Sequence, residues 1–354
     1  MVTADVDEAI VTATMARPAT TSAARHDPRA RRRGILAMIG RRLLFVIPVC
    51  AAVSGGLFAA AAVSPFDPLV AYLGVRYTTT SDADKAMIAE QLGLDQPWYT
   101  TYWHWVQGVF TGDLGMSRSF GQPVAEVLAE RVPWTLLLAG VGLALAATLA
   151  LVLGVVAGIR SGGLLDRAIT ALCITIQGLP PFVLSLGAIA LFALGLGWLP
   201  VAGLTDGGAD PTVGSVVRHM ALPVSVLALS QLPWLLLAVR ESVSVSRGED
   251  FVAGAVARGI PSSMVTRRHI VPTSLAPFVN VLGVRLPELV VGAVLVEEVF
   301  SWPGIAGAIV QSARDLDMAL LAFLTVGTTL AVLIGSLLAD VAVALLDPRV
   351  KTDG

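Results

Sequence analysis

GEDFVAGAVARGIPSSMVTRRHIVP, from Gly248 to Pro272, is a charged stretch lying between two long apolar runs. A loop of this kind in a membrane protein reads as a handle for another protein; the plainer alternative is an amphipathic loop with no partner. Ser246 and Glu249 have capping-box spacing, which predicts that a short helix starts there. Gly259 and Pro261 then stop it, because Gly accepts a left-handed terminal residue and Pro cannot continue the hydrogen-bond ladder. Ser262 or Ser263 is placed to open a second short helix carrying Arg267, Arg268 and His269.

The surroundings explain why the loop matters. Only 14% of the residues are charged and 55% are hydrophobic, and the mean hydropathy is +0.76. A soluble domain carries nearer a quarter charged residues, so this composition is that of a membrane protein. The net charge of −2 gives no case for nucleic acid. Cys50 and Cys173 both lie in apolar runs without metal-ligand spacing, and they read as small buried hydrophobes.

A helix needs about 20 apolar residues to cross the hydrocarbon core. Six segments qualify: Ile39–Val63, Thr135–Ile159, Ala168–Leu196, Leu222–Val239, Leu275–Val296 and Ala319–Leu346. Lipid offers no partner for free backbone groups and no barrel-like alternation is visible, so an all-α membrane protein with six transmembrane helices is expected. Basic residues set its orientation. Arg29, Arg31, Arg32, Arg33, Arg41 and Arg42 precede the first span, which puts the N-terminus in the cytoplasm. Arg160 and Arg167, then Arg240, Arg247, Arg258, Arg267 and Arg268, and finally Arg349 and Lys351, all fall on the same side. The loops 64–133 and 197–221 fall outside. Residues 1–38 are expected to form a mobile basic tail, 39–63 the first span, 64–134 an external loop with short helices, and 135–350 a core of five spans with the loop 246–272. A cleaved signal peptide is the alternative for the first span.

Several separate stretches resemble one family in collinear order. LGLDQPWYTTYWHWVQGVFTGDLGMS (Leu92–Ser117) is similar to an external-loop signature of dipeptide and oligopeptide permeases of ABC importers. Pro123 and Val124, followed by Arg131, Pro133, Thr135 and Leu136, resemble that family's entry into the second span. DFVAGAVARG (Asp250–Gly259) resembles its cytoplasmic coupling segment, with Val256 and Arg258 where arginine and lysine are usual. VEEVFSWPGIAGAIVQSARDLD (Val296–Asp317) resembles its last external loop, and Asp340 with Asp347-Pro348-Arg349 its C-terminal end.

The resemblance implies a type I permease fold with a coupling helix, a second related permease subunit, two ATPase subunits and an extracellular substrate-binding protein. It implies import of di- or oligopeptides, with nickel or a metal chelate as the alternative cargo. No phosphate-binding Gly-x-x-x-x-Gly-Lys-Ser/Thr occurs in the chain, so no cofactor is expected here; ATP and magnesium belong to the partners. Neither a Ser–His pair, an Asp pair nor a His-Glu-x-x-His zinc motif at matched depth is visible, which disfavours an intramembrane enzyme. A channel or secondary transporter would leave the charged loop without a purpose.

Within the loop, Phe251 and Ala255 share one helical face suited to an ATPase groove, while Glu249, Asp250 and Arg258 set its register and Gly259 and His269 complete the segment. A helix resting on lipid headgroups is the alternative. The aromatics of the external segment, Trp98, Tyr99, Tyr102, Trp103 and Trp105, read as an interfacial belt or a docking face. Trp302-Pro303-Gly304 reads as a turn before a re-entrant or interfacial helix, or as a path-facing gate. Arg285 and Glu288, at i and i+3 around Pro287, fall where the resembling family runs apolar. They read as a structural pair at a subunit contact or as a path-lining pair for peptide termini. Asp340 reads as a tether at the inner end of the last span. His104 and His219, two lone histidines assigned to external loops, make a poor metal site.

Overall fold

Apolar runs of this length can satisfy their backbone only as helices, and the computed structural model is a helical bundle. It describes residues 28–65, 68–91, 94 and 96–346. The residues 1–27 of the expected tail and the C-terminal Asp347-Pro348-Arg349 lie outside the described residues. The first long helix, α1, runs Pro28–Ala62, so residues 28–38, expected in the tail, form its opening turns. Short helices follow at Pro68–Leu73 (α2), Asp82–Gln91 (α3) and Trp98–Thr111 (α4), then a two-stranded hairpin of Met116–Ser117 (β1) and Gln122–Pro123 (β2). The remaining elements are α5 (Val124–Ile159), α6 (Leu164–Gln177), α7 (Pro181–Ala188, extended by a π turn, Ile189–Gly195), α8 (Val213–Arg247), α9 (Asp250–Ala257), α10 (Ser262–Val265), α11 (Val271–Val299), α12 (Ile305–Arg314) and α13 (Met318–Leu346).

Among the described residues five helices are long and apolar enough to cross a membrane, and six crossings result if α6 and α7 form one broken span. That pair corrects the expectation of a single third span over Ala168–Leu196. The two helices meet at 106°, around Gly178-Leu179-Pro180. Pro180 and Pro181 cannot donate to the preceding turn, so the helix has to end there.

The centre of the bundle is α8, the most enclosed of the long helices. It packs along α5 because α5 presents a small residue every fourth position: Gly142, Ala146, Ala150, Gly154 and Gly158, all buried. A Cβ at Gly154 would stand 2.8 Å from Val239 Cβ, and one at Gly158 would stand 2.7 Å from the Arg240 carbonyl oxygen. Small residues let two membrane helices approach to backbone contact, where dispersion supplies the attraction that lipid cannot. On its other side α8 meets α11, which packs against α13, and α13 meets α1. The Arg42–Asp340 ion pair joins α1 to α13, and Arg42 also donates to the Ser336 hydroxyl (2.9 Å).

At the α5–α6 corner, Asp166 is buried and accepts two bonds from Arg240, Nε at 2.9 Å and Nη2 at 2.7 Å, with a third from the Gly162 N–H at 2.8 Å. This fork-shaped pair ties the α5–α6 turn to α8.

Candidate functional site

Three places carry the residues singled out in the sequence: the loop after α8, the middle of α11, and the turn between α11 and α12. In the loop, α9 opens at Asp250 with Glu249 as its N-cap, and no side chain caps it. The expected capping box is absent because Ser246 is still inside α8, where its hydroxyl meets that of Thr273 at 2.8 Å. The helix ends as expected of its glycine. Gly259 has φ +78°, its N–H donates to the Val256 carbonyl (2.9 Å), and the Ile260 N–H donates to that of Ala255 (3.2 Å). This is the paired closure of a Schellman motif. Arg258 folds back, its Nε donating to the Gly254 carbonyl (3.1 Å).

The second short helix is not a separate element. Ser262–Val265 continues through a π turn, Thr266–Ile270, into α11 without a break, so the loop's basic residues sit on the first turns of a long rod. A second correction concerns the face offered to a partner. Ala255 is buried, together with Val265 and Ile270, in the same apolar cluster as Leu235, Leu236, Val239 and Val243 of α8. It faces the chain's own core, so it is unavailable to a groove in another protein. The face left open comprises Phe251, Val256 and Met264, with Glu249, Asp250, Arg258, Arg267, Arg268 and His269 around them. The ring of Phe251 lies 6.4 Å from that of His269, tilted.

Near the middle of α11, Arg285 and Glu288 form an ion pair. The guanidinium also lies over the Trp234 ring of α8, 4.7 Å from its centroid. Only 13% of the Arg285 side chain is exposed, against 56% for Glu288.

Between α11 and α12, Trp302, Pro303 and Gly304 form a tightly held turn. Trp302 is buried and edge-on to Trp134, and its Nε1 donates to the Trp134 carbonyl (3.1 Å). The Gly304 carbonyl accepts from Arg131 Nη1 (3.2 Å), and the Ile305 N–H donates to the Thr135 hydroxyl (2.9 Å). Glu297, fully buried, accepts from the Ala306 N–H (2.9 Å) in the first turn of α12. A Cβ at Gly304 would run into the Glu297 carboxylate, so a larger residue there has to displace that group from the Ala306 N–H.

Sequence reasoning missed the partner groups. Glu297, Asp166 and Asp317 are buried carboxylates that close helix ends or turns. Asp317 accepts from the Ser117 hydroxyl (2.6 Å), the Ser119 N–H (3.1 Å) and the Leu320 N–H (3.3 Å), and so joins the β1–β2 hairpin to α13. An acidic residue just before or after an apolar run was the available signal. His219 is another correction: it lies buried inside α8, which begins at Val213, with Nδ1 2.8 Å from the Ser215 carbonyl. His104 lies in α4. Among the described residues no group of three or more His, Cys, Asp or Glu could hold a metal ion. The aromatics of α4 divide: Trp98, Tyr99 and Trp103 are exposed, whereas Tyr102 and Trp105 stack on each other and lie tilted against Phe58 of α1, and Trp105 also meets Phe323 of α13.

A multi-span bundle of this kind with a protruding helical loop invites comparison with transport proteins. Residues 150–352 match the family model described as the binding-protein-dependent transport system inner membrane component. The chain belongs to this family. Among its relatives is the oligopeptide transport system permease protein AppB of Bacillus subtilis, 30% identical over 316 residues, covering 89% of this chain and 99% of that protein. The probable D,D-dipeptide transport system permease protein DdpB of Escherichia coli is 33% identical over 309 residues, 82% of this chain and 90% of that one. A putative peptide permease protein of Brucella suis is 29% identical over 311 residues, 88% and 97% respectively. The chain is therefore a multi-pass membrane permease of the ABC importer class, a transport component.

Proposed function

We propose that the chain forms the membrane path of an ATP-driven importer of di- or oligopeptides, working with a second permease subunit, two ATPase subunits and an extracellular substrate-binding protein. The observation that carries the reading is the α9–α10 loop. Its buried trio, Ala255, Val265 and Ile270, is continuous with the core, while Phe251, Val256 and Met264 stay exposed among charged residues. A short helix rooted in packed spans transmits a push, and an exposed apolar face ringed by charge suits a groove on another protein. A helix lying on headgroups would need no such root. ATP and magnesium would be held by the partners. The basic residues flanking the spans support a cytoplasmic position for this loop and both termini, in a bacterial inner or plasma membrane. The aromatic helix α4, with Trp98, Tyr99 and Trp103 exposed, then lies on the outer side towards the binding protein, and the buried Trp302–Gly304 turn is packed within the outer end of the bundle.

Peptides are favoured over nickel or a metal chelate because the relatives compared are named for peptide, oligopeptide or dipeptide transport. Reconstitution in vesicles with the ATPases, the second permease and the binding protein tests the reading. ATP-dependent accumulation of a labelled tripeptide is expected, with none of nickel. Accumulation of nickel and no peptide, or no retention of the ATPases on the purified chain, would overturn it.

A further inference from the structure

The Arg285–Glu288 pair sits on an open face of the bundle. The exposed positions of α11 include the polar Asn280, Glu288 and Glu298 and the apolar Leu275, Val284 and Val291, and those of α8 include Ser225, Leu229 and Trp234. Glu288 stands exposed among apolar neighbours near the middle of α11, and an exposed carboxylate there marks water or polar cargo, because such a group in hydrocarbon is costly. A second observation lies one turn away on each helix. Gln231 of α8 is 3% exposed, its Oε1 has no hydrogen-bond partner, and its amide neighbours Gly292 of α11.

The two charged groups are not equally available. Arg285 is turned away from the open side: one guanidinium nitrogen pairs with Glu288, the group covers the Trp234 ring, its Nε is buried without a hydrogen-bond partner, and little of its side chain is exposed. Glu288 is more than half exposed and retains acceptor sites beyond the pair. What this site can take from the open side is a donor carrying positive charge. We propose that Glu288, positioned by Arg285 and Trp234, is a mid-path site that receives the protonated amino terminus of the translocated peptide. The assignment rests on the peptide-import reading and adds to it a specificity residue on this chain.

The test uses the full complex in vesicles with binding protein and ATP, in a Cys50→Ala/Cys173→Ala background. Val291→Cys places a thiol one turn from Glu288, at a position 61% exposed. Labelling of this chain by a cationic and by an anionic methanethiosulfonate is timed, with and without trialanine or N-acetyl-trialanine. The cationic reagent is expected to react roughly tenfold faster, as a nearby carboxylate in a wet path would impose. Glu288→Asp keeps the preference. Glu288→Gln, which leaves Arg285 alone, reverses it, and the doubly neutral Arg285→Gln/Glu288→Gln brings the ratio close to one while guarding against a misfolded single variant. Trialanine slows labelling and its acetylated form does not. A thiol unreactive to both reagents would place this face against a subunit or lipid and overturn the proposal; so would a ratio indifferent to Glu288, or equal protection by the two peptides. Uptake of trialanine by the unsubstituted complex is measured in parallel. No uptake with a charge-dependent ratio would remove the peptide-import reading, whereas uptake with an indifferent ratio would remove only the role of Glu288.

Discussion

The α5–α8 seam makes a sharp stability prediction because the same substitution, Gly→Ala, has opposite consequences at two positions of one helix. At Gly140 a Cβ meets nothing within 4 Å. Alanine there removes only the conformational freedom of glycine, a gain of up to about 1 kcal/mol. At Gly158 the Cβ would lie 2.7 Å from the Arg240 carbonyl oxygen and from Val243 Cβ, well inside the 3.4 Å at which ordinary contact begins. Two of the obstacles are main chain or Cβ, so no rotamer change relieves them, and the helices must separate by about 0.7 Å. Separation over a close-packed seam forfeits a quarter or more of each contact's attraction. The overpacking cost is about 1–3 kcal/mol. Thermal unfolding of the detergent-purified chain, followed by loss of the monodisperse peak, should therefore show Gly140→Ala at or above the parent and Gly158→Ala several degrees below it. Adding Val243→Ala to Gly158→Ala should recover only part of the loss, since the substitution removes the Val243 Cγ but leaves the Arg240 carbonyl and the residue-243 Cβ in place. Equal midpoints for Gly140→Ala and Gly158→Ala would refute the close approach of α5 to α8.

Three further outcomes follow from the same structure. Arg285→Leu and Glu288→Leu should each lower folded yield, by about 3–5 kcal/mol at most since Glu288 is partly exposed, while the double Leu variant is milder because no charge is left unpaired; strictly additive losses would show that the pair is not coupled. Asp166→Asn should destabilise the chain in the same detergent assay, because Arg240 loses its fork-shaped partner beside the α5–α6 turn, and an unchanged midpoint would sink that role. Gly259→Val should insert normally but lose retention of the ATPases and ATP-driven uptake, because a β-branched residue pays about 1–2 kcal/mol at φ +78° and shifts the end of α9; normal uptake with normal ATPase retention would refute the coupling role of the loop.

What was legible in the chain follows physical distance. Span count was read from apolar length, and the break in the third crossing was missed although Gly178 and the Pro180-Pro181 pair stood in the middle of the run. Length alone does not register a change of direction. The Arg285–Glu288 pair was legible because both partners lie within one helical turn, and so was Gly259, whose role is local. The cover over Arg285 by Trp234 was not, since it depends on how α8 meets α11. The same holds for Ala255: helical periodicity puts it on one side of α9 with Phe251, but only the packing of α9 on α8 shows which of the two is buried. Capping-box spacing at Ser246 and Glu249 misled because α8 runs on to Arg247 and absorbs the intended cap.

The continuity between α10 and α11 bears on how a push at the loop reaches the path. From Ser262 to Val299 the chain is one helical rod of 38 residues, on the order of 55 Å at the usual rise. Its base carries Met264, Arg267, Arg268 and His269, its middle carries Glu288, and its far end carries Glu297, locked to α12 and close to Gly304. A separate second helix would have needed a joint in between, and a joint absorbs displacement. The rod is softened at defined places: the π turn at Thr266–Ile270, and Pro277 and Pro287, each of which removes a backbone donor. Bending is therefore expected around those residues rather than evenly along the helix. Pro287 lies between Arg285, held on Trp234, and Glu288, which faces the open side. Flexing at that point changes the position of Glu288 relative to α8 while Arg285 stays anchored. On the docking reading, a movement imposed on Phe251 and Met264 at the base would thereby be delivered to the one exposed carboxylate at mid-helix.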